Sequence, residues 1–306
     1  MDRILDQIRR AFAETTIGSA IELELGSLNY TAYVIRFSDS FGVAIPFGNS
    51  EQISERFHNA RLHTEELGLQ DKTIRSLLLT STADELRMEF ATLCADFVKI
   101  GEFGKQREEL LANPLRWWDR WTHLLGNAIT NKESYSVLGE LLTLEYLLQS
   151  EQGDFRWGGS EFSIHDIEGE QGFYEVKSTV SRYSSTVEIS SQFQLLAEES
   201  DVNLIFCRFE KSDSGDSIDA VVDRLIALGV DSALLETNLK AIKLEKGSSI
   251  RKRRYRLIEM RQYKVDKDFP LLRPNFFKQE QIPEFIIQLV YSIDLSGIPF
   301  SNLLEN

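Results

Sequence analysis

Residues 131 to 229 switch repeatedly between helical and strand periodicity, and this switching narrows the possible folds more than any other feature. Apolar residues three and four apart indicate helices, whereas short apolar or alternating runs indicate strands. In chain order the pattern predicts a helix at 131–151, strands at 155–157, 162–167 and 172–180, a helix from Ser190 or Ser191, a strand at 202–210 and a helix at 218–229. This order predicts an α/β core with a mixed central sheet flanked by helices.

The first hundred residues have a different character. The chain opens with an amphipathic helix, and later residues alternate in the manner of strands at 20–48 and at 74–82, before a helix at 84–101. We therefore place a boundary near residue 100. The predicted domains are a β-rich N-terminal domain at 1–100, an α/β core at 101–230, and a C-terminal extension at 231–306 that contains a basic segment and packs on the core.

Cysteine usage and hydropathy indicate the compartment. Cys94 and Cys207 are far apart, and neither has a second cysteine at CxxC spacing. This argues against a disulfide framework and against a cysteine-based zinc site. No apolar run has membrane-spanning length, and charges interrupt the apolar stretch that a signal peptide would need. The sequence therefore predicts a soluble, cytoplasmic protein.

The net charge of −14 argues at first against binding to a polyanion, because phosphate contacts need lysine and arginine. However, eleven lysines and arginines but only three acidic residues lie between Lys240 and Lys267. Such a segment on an acidic body would direct a polyanion to one place. The alternative is a solvated hairpin whose bases pair with acidic neighbours. The predicted nucleic-acid contacts in this segment are Arg251, Lys252, Arg253, Arg254 and Arg256.

Glu175 and Lys177 are the first candidate site residues. They are two apart on a predicted strand, so both side chains leave the same face, whereas Val176 points the opposite way into a core. A carboxylate beside an ammonium group has a simpler interpretation as a surface ion pair, which contributes little.

Asp166 makes the pair more informative. If the loop of the hairpin is the four residues from Gly169 to Gly172, Asp166 lies opposite Glu175 on the same face, with Cβ atoms roughly 5 Å apart. Two carboxylates that close repel each other unless a cation bridges them, which predicts Mg²⁺ or Mn²⁺. A five-residue loop would instead set His165 opposite Glu175. We expect the first register.

Glu140 is the fourth candidate, because it interrupts the apolar stripe of the helix at 131–151. A carboxylate on a core-facing stripe is unfavourable unless it is paired or metal-bound. Gly139 beside it would allow the helix to approach the sheet closely. The alternative is a Glu140 side chain that reaches past the stripe to solvent or to an N-terminal amide.

These residues resemble the pattern of the PD-(D/E)XK nuclease superfamily: a helix Glu, an Asp on a hairpin, Glu-x-Lys on the next strand, and then a helix. The motifs LGELL, HDI, YEVKST and VEISSQFQL are similar to an uncharacterised bacterial branch of that superfamily, a domain of unknown function. Its members tend to be encoded beside DNA methyltransferases, ATPases and other restriction or phage-defence components. The similarity is clear over 137–196 and looser over most of the chain.

The resemblance implies a role for each residue. Asp166, Glu175 and the Val176 carbonyl would hold the metal, and Lys177 would orient or activate the attacking water and stabilise charge on the phosphate. Glu140 would hold a second metal or a metal-bound water. Gln194 matches a polar position often near the site, whereas His165 departs from the proline in the superfamily's name.

The resemblance therefore predicts a restriction-endonuclease-like fold and an Mg²⁺- or Mn²⁺-dependent DNA endonuclease in restriction or anti-phage defence. Its expected partners are DNA and defence proteins such as an ATPase or a methyltransferase, and a homodimer would suit cleavage of both strands. One alternative is an inactive or partner-dependent DNA-binding and assembly subunit on the same scaffold. Another is a non-nuclease metalloenzyme with a carboxylate site in a small enclosed pocket. Nothing in residues 1–100 distinguishes DNA reading, dimerisation and partner docking.

Overall fold

The computed structural model describes residues 3–27, 29–69, 72–125, 134–150, 153–159, 165–170, 172–190, 195, 201–272 and 289–304. The chain forms two compact units: Met1–Thr130 with Lys246–Ser249, and Asn131–Glu245 with Ile250–Asn306. The division into domains at 1–100, 101–230 and 231–306 stays a prediction.

The first unit is built on an antiparallel sheet. Its elements are α1 (Arg3–Glu14), β1 (Ser19–Glu22), β2 (Tyr33–Arg36), β3 (Phe41–Pro46), β4 (Ser54–Phe57), β5 (Ala60–Leu69), β6 (Lys72–Ser81), α2 (Arg87–Val98), α3 (Lys105–Ala112) and α4 (Pro114–Leu125), with 3₁₀ turns at Asp84–Leu86 and Glu102–Gly104. The strand order is β1-β2-β3-β6-β5-β4, and each neighbouring pair is antiparallel. The strands predicted at 20–48 and 74–82 and the helix predicted at 84–101 are thus confirmed in type.

Helices α1 and α2 close one face of this sheet. Phe12 of α1 and Phe90 of α2 both make edge-on contacts with Phe41 of β3, at centroid distances of 5.1 and 5.7 Å. Full burial of an aromatic side chain contributes about 1.5–3 kcal/mol. The amphipathic pattern at the start of the chain therefore reflects a helix that packs on a core.

The second unit is built on a mixed sheet. Its elements are α5 (Ser134–Ser150), β7 (Phe155–Trp157), β8 (Ile167–Gly169), β9 (Gly172–Thr179), β10 (Thr186–Ile189), β11 (Val202–Asp216), α6 (Ile218–Ala227), α7 (Ser232–Ala241), β12 (Tyr255–Lys264), β13 (Tyr291–Asp294) and β14 (Ser301–Asn302). A 3₁₀ turn at Ser249–Lys252 begins with the last residue assigned to the first unit. The strand order is β14-β12-β11-β9-β8-β7. Strands β9 and β11 are parallel, and the other neighbours are antiparallel. The mixed sheet of the predicted α/β core is confirmed.

The two faces of this sheet belong to two different cores. Helices α5 and α6 cover one face, where Val176 of β9 and Ile205 of β11 are buried. The paired strands β10 and β13 pack on the other face, against Leu204 and Phe206 of β11. Residues 202–209 of β11 are therefore covered on both sides, which explains why this part of the strand is mostly apolar, whereas residues 210–216 are polar and more exposed. Successive side chains alternate between faces, so Glu175 and Lys177 share the face of Leu204 and Phe206.

Two sequence predictions fall on parts of the chain that are not described. The helix predicted from Ser190 or Ser191 falls mostly on 191–194 and 196–200, and the start of the strand predicted at 162–167 falls on 162–164.

None of the helices in the described ranges has both the length and the apolar character needed to cross a membrane.

Candidate active site

The hairpin of β8 and β9 has the predicted register. Its paired residues are Gly169 with Gly172, Glu168 with Phe173, and Ile167 with Tyr174. The alternative register, with His165 opposite Glu175, is excluded. Extended by one more step, this register would set Asp166 opposite Glu175, although the ladder itself ends at Ile167 and Tyr174.

Asp166 lies where the ladder between β8 and β9 ends. Its Oδ2 accepts a hydrogen bond of 2.8 Å from the backbone N–H of Val176, so a side chain meets β9 directly after the last backbone pair. Its own carbonyl accepts a hydrogen bond of 2.8 Å from the N–H of Gly158, which fixes the backbone at this position. The N–H and the carbonyl of one strand residue point to the same side, so the Val176 carbonyl also points toward the β8 side. One carboxylate and one backbone carbonyl are thus brought to the same end of the ladder.

Glu175 and Lys177 form an ion pair on the opposite face of β9 from Val176. Lys177 Nζ lies 2.9 Å from Glu175 Oε1. Glu175 is only 3% exposed, so this is not the solvated surface pair of the simpler interpretation. Burial, and then the charge of Asp166, raise the pKa of Glu175 from 4.5 to about 8, while Lys177 opposes the shift. Further positive charge near Glu175 would therefore stabilise its ionised carboxylate.

Glu140 is buried on α5 with 1% exposure. Its Oε2 accepts a hydrogen bond of 2.9 Å from Trp157 Nε1 on β7, so the side chain does not reach solvent as the alternative interpretation held. The charge of Glu140 also contributes to the raised pKa of Glu175. The two carboxylates therefore influence each other although they lie on different elements.

Gly139 provides the close approach that the sequence predicted. A Cβ atom at Gly139 would lie 2.2 Å from Ser178 Oγ on β9. Real Cβ contacts essentially never reach that distance, so a larger residue requires the Ser178 side chain to turn away or α5 to move from the strand that carries Glu175 and Lys177. The glycine sets the distance between the helix and the candidate site.

The donor set suits a hard divalent cation, because carboxylate and carbonyl oxygens are the ligands that Mg²⁺ and Mn²⁺ prefer. Burial and the nearby Asp166 raise the pKa of Glu175 despite the ammonium group of Lys177, so a bound cation would favour the ionised carboxylate. Within the described ranges, however, no three His, Cys, Asp or Glu side chains converge in a way that could hold a metal ion. The residues fit a divalent ion in chemistry and charge, and binding would have to draw the carboxylates together.

His165 occupies the position of the superfamily's proline. It is 7% exposed, and its ring stacks on Phe173 with a centroid distance of 4.6 Å and an angle of 20° between the planes. The imidazole thus packs against β9 immediately before Asp166.

Arg251 must be removed from the predicted nucleic-acid contacts. It is 1% exposed, and its guanidinium donates to Asp219 on α6 at 2.6 Å and to Glu236 on α7 at 2.7 and 2.9 Å. This arginine ties two helices together. The physical reason for the difference is that its carboxylate partners neutralise it inside the unit.

The other four predicted contacts, Lys252, Arg253, Arg254 and Arg256, are exposed. Arg254 donates to the Gly215 carbonyl at 3.0 Å, and Arg256 pairs with Glu210. The alternative interpretation, in which the bases of the segment pair with acidic neighbours, therefore applies to Arg256. These four side chains lie at one end of the β11–β12 pair and stay accessible to a polyanion.

Gln194 lies outside the described residues. Sequence reasoning missed Trp157, the partner of Glu140. The only available signal was an aromatic residue with an N–H donor on the short strand before the hairpin, since a buried indole N–H usually has a hydrogen-bond partner.

Comparison with known protein families gives a match over most of the chain. A family model with the description "Putative PD-(D/E)XK family member (DUF4420)" matches residues 28–296, which is most of the chain and includes the hairpin, Glu140 and the basic segment. No curated protein and no solved structure matches the chain. The mixed sheet with flanking helices is consistent with a PD-(D/E)XK-like core. The chain therefore belongs to the DUF4420 family, within the PD-(D/E)XK nuclease-like superfamily.

Proposed function

We propose that the protein is a divalent-metal-dependent DNA endonuclease of the PD-(D/E)XK type that acts in bacterial restriction or anti-phage defence. The observation that carries this proposal is the position of Asp166, whose carboxylate binds the N–H of Val176 beside the buried pair of Glu175 and Lys177. Family membership supports the same chemistry, because a nuclease-like family implies DNA as a substrate.

Asp166, Glu175 and the Val176 carbonyl would hold Mg²⁺ or Mn²⁺, with Glu140 as the additional acidic group. A bound divalent ion supplies hydroxide near neutral pH and neutralises charge on the phosphate. Glu175 is best suited to this role when ionised, and the ammonium group of Lys177, at 2.9 Å, would compete with the metal ion for its carboxylate.

Lys177 would handle the nucleophile and the phosphate. Its Nζ donates to Glu175 Oε1 and therefore lies next to any group that this carboxylate binds. The ammonium group has three donors, so it can keep one hydrogen bond to Glu175 while it orients the attacking water or contacts a non-bridging phosphate oxygen. Its side chain is 19% exposed, which leaves it accessible to a substrate.

The exposed bases Lys252, Arg253, Arg254 and Arg256 would hold the phosphate backbone. The chain as a whole carries −14, so duplex DNA would be repelled by much of the surface and attracted by this segment. A homodimer would place two such sites on a duplex, and an ATPase or methyltransferase from the same defence system would be a suitable partner.

The test is a nicking assay with purified wild type and Lys177→Ala, on methylated and unmethylated plasmid, with and without Mg²⁺ or Mn²⁺. We expect the wild type to convert supercoiled plasmid to nicked or linear forms only with the ion, and Lys177→Ala to bind the plasmid without cutting it.

Nicking by Lys177→Ala at the wild-type rate would contradict the proposal. Ion binding and DNA retention without cleavage of either plasmid would favour the alternative of a partner-dependent binding or assembly subunit. Adding candidate ATPase or methyltransferase partners to that reaction would then separate an inactive subunit from one that needs activation.

A further inference from the structure

The segment Ser181–Ser185, between β9 and β10, is a turn fixed by its own side chains. The N–H of Ser181 donates to Thr179 Oγ1 at 3.0 Å, and the N–H of Ser184 donates to Ser181 Oγ at 3.2 Å. The carbonyl of Ser185 accepts a hydrogen bond of 3.1 Å from the N–H of Leu295, next to β13. Both ends of the turn are therefore attached to the strands on either side.

A buried arginine, Arg208, holds the turn by donating hydrogen bonds to its backbone carbonyls. Arg208 of β11 is 6% exposed, and its Nη1 donates to the carbonyl of Ser181 and, at 2.9 Å, to that of Ser184. Its Nη2 donates to Ser185 Oγ at 3.0 Å, and its Nε donates to Glu259 at 3.0 Å. A guanidinium with its donors fixed in a fork loses little freedom on binding, so it is well suited to hold a backbone in one shape.

The tip of this fixed turn contributes nothing to the packing of the unit. Tyr183 is 92% exposed, and Arg182 beside it is also exposed. A tyrosine ring offers a large, rigid contact area at a small loss of conformational entropy, and a preorganised loop lowers the entropy lost on binding. An aromatic ring and an arginine are thus held outward on a turn whose backbone is fixed by hydrogen bonds.

The turn lies on the same sheet face as the candidate catalytic pair. Arg208 is paired with Thr179 and Phe206 with Lys177, so Arg208 projects from the face that carries Glu175 and Lys177. Tyr183 lies six positions beyond Lys177 in the chain, which limits the distance between their Cα atoms to about 20 Å. That is roughly half a turn of duplex DNA.

We propose that Arg182 and Tyr183 form a second DNA-contacting element, in which the Tyr183 ring stacks on a nucleobase within about half a helical turn of the scissile phosphate and Arg182 binds a neighbouring phosphate. Arg208 is the positioning residue of this element. The inference rests on the proposed nuclease function and is separate from the basic segment at 252–256. Tyr183 is therefore the first candidate for a residue that determines where the DNA is cut.

The test measures binding and stacking together. A fluorescent duplex of about 30 base pairs, roughly three helical turns, is titrated with the Lys177→Ala protein and with the same protein carrying Tyr183→Ala, Tyr183→Phe or Arg182→Ala. A second set of duplexes carries 2-aminopurine, each at a different position. The fluorescence of this base is quenched or released when an aromatic side chain changes its stacking. Phe103→Ala is the matched control, because Phe103 is 102% exposed in the other unit.

We expect Tyr183→Ala to weaken binding about tenfold and to abolish the 2-aminopurine signal, because the ring would stack on a base at a partly unstacked step of the duplex and stabilise it there. Tyr183→Phe should keep both, and Arg182→Ala should lower the salt dependence by about one phosphate contact. Equal melting temperatures for all variants would show that the fold is unchanged.

Binding by Tyr183→Ala at the wild-type level, or equal losses for Tyr183→Ala and Phe103→Ala, would overturn this inference and leave the proposed nuclease untouched. Normal cleavage by Lys177→Ala would instead overturn the proposed catalytic site and leave the Tyr183 contact standing. A protein that binds no duplex at all would overturn both.

Discussion

The carboxylate of Asp166 accepts a hydrogen bond of 2.8 Å from the backbone N–H of Val176, directly beyond the last backbone pair between β8 and β9. A side chain thus terminates the ladder and directs one oxygen toward β9. The same contact brings an acidic group to the end of the strand that carries Glu175 and Lys177. Asp166 therefore has both a structural role and a role in the proposed chemistry, and substitutions can separate the two.

Asp166→Asn and Asp166→Ala should differ in stability but agree in activity. The amide oxygen of asparagine can still accept from the N–H of Val176, whereas alanine leaves that donor without its partner at a cost of about 1–3 kcal/mol. Neither variant supplies a carboxylate, so neither should nick plasmid with Mg²⁺. Urea unfolding monitored by tryptophan fluorescence gives the free energies. Equal stabilities of the two variants would show that the hydrogen bond is not a structural one.

Glu175 should make the stability of the metal-free protein depend on pH. Its pKa is raised from 4.5 to about 8, so between these values the folded protein holds a proton that the unfolded chain has lost. Stability is therefore lost as the pH rises through this window. Glu175→Gln removes the titration, and its melting temperature should exceed that of the wild type by a margin that grows from pH 5 to pH 8.

Divalent ions provide the control for the pH experiment. Mg²⁺ or Mn²⁺ should raise the melting temperature of the wild type more at pH 8 than at pH 5, because the ion competes with a proton for the Glu175 carboxylate. Glu175→Gln should show a much smaller shift. A difference in melting temperature between the wild type and Glu175→Gln that does not change with pH would contradict the assignment of the raised pKa to Glu175.

Gly139→Ala should disturb the site from a distance. The new methyl group would lie 2.2 Å from Ser178 Oγ, so the Ser178 side chain has to turn away or α5 and β9 have to separate. Overpacking of this kind costs about 1–3 kcal/mol. The double variant with Ser178→Gly removes the opposing hydroxyl and should recover most of the lost stability and nicking activity. If the double variant recovers neither stability nor activity, the strain arises from a contact other than that with Ser178.

Arg251 and Arg253 should behave oppositely although they are two residues apart. Arg251→Met removes the partner of Asp219 and Glu236 and should cost about 3 kcal/mol of stability, as expected when one member of a buried ion pair is removed. Arg253→Glu together with Arg254→Glu should leave the free energy of unfolding nearly unchanged and weaken DNA retention in a salt-sensitive way. A gel shift unaffected by these two charge reversals would exclude the basic segment from the interface.

The parts of the site that follow from local sequence could be predicted. The turn between Gly169 and Gly172 fixes the hairpin register, and the period of two along β9 fixes which side chains share a face. Glu140 could be placed on a buried stripe from helical periodicity alone. These inferences need only residues that are near each other in the chain.

The missed contacts depend on long-range packing. Arg251 lies 32 residues from Asp219 and 15 from Glu236, and no local pattern marks the two acidic residues as its partners. Trp157 lies 17 residues from Glu140, and Arg208 lies 27 from Ser181. A run of arginines looks like a basic surface until the fold shows which of them points inward.

The most direct measurement of the central claim is anomalous diffraction from crystals grown with Mn²⁺. A metal peak within coordinating distance of the Asp166 and Glu175 carboxylates and the Val176 carbonyl is the predicted result, and Asp166→Asn should remove it. Contradiction would come from a bound Mn²⁺ elsewhere in the protein, or from a peak that persists unchanged in Asp166→Asn.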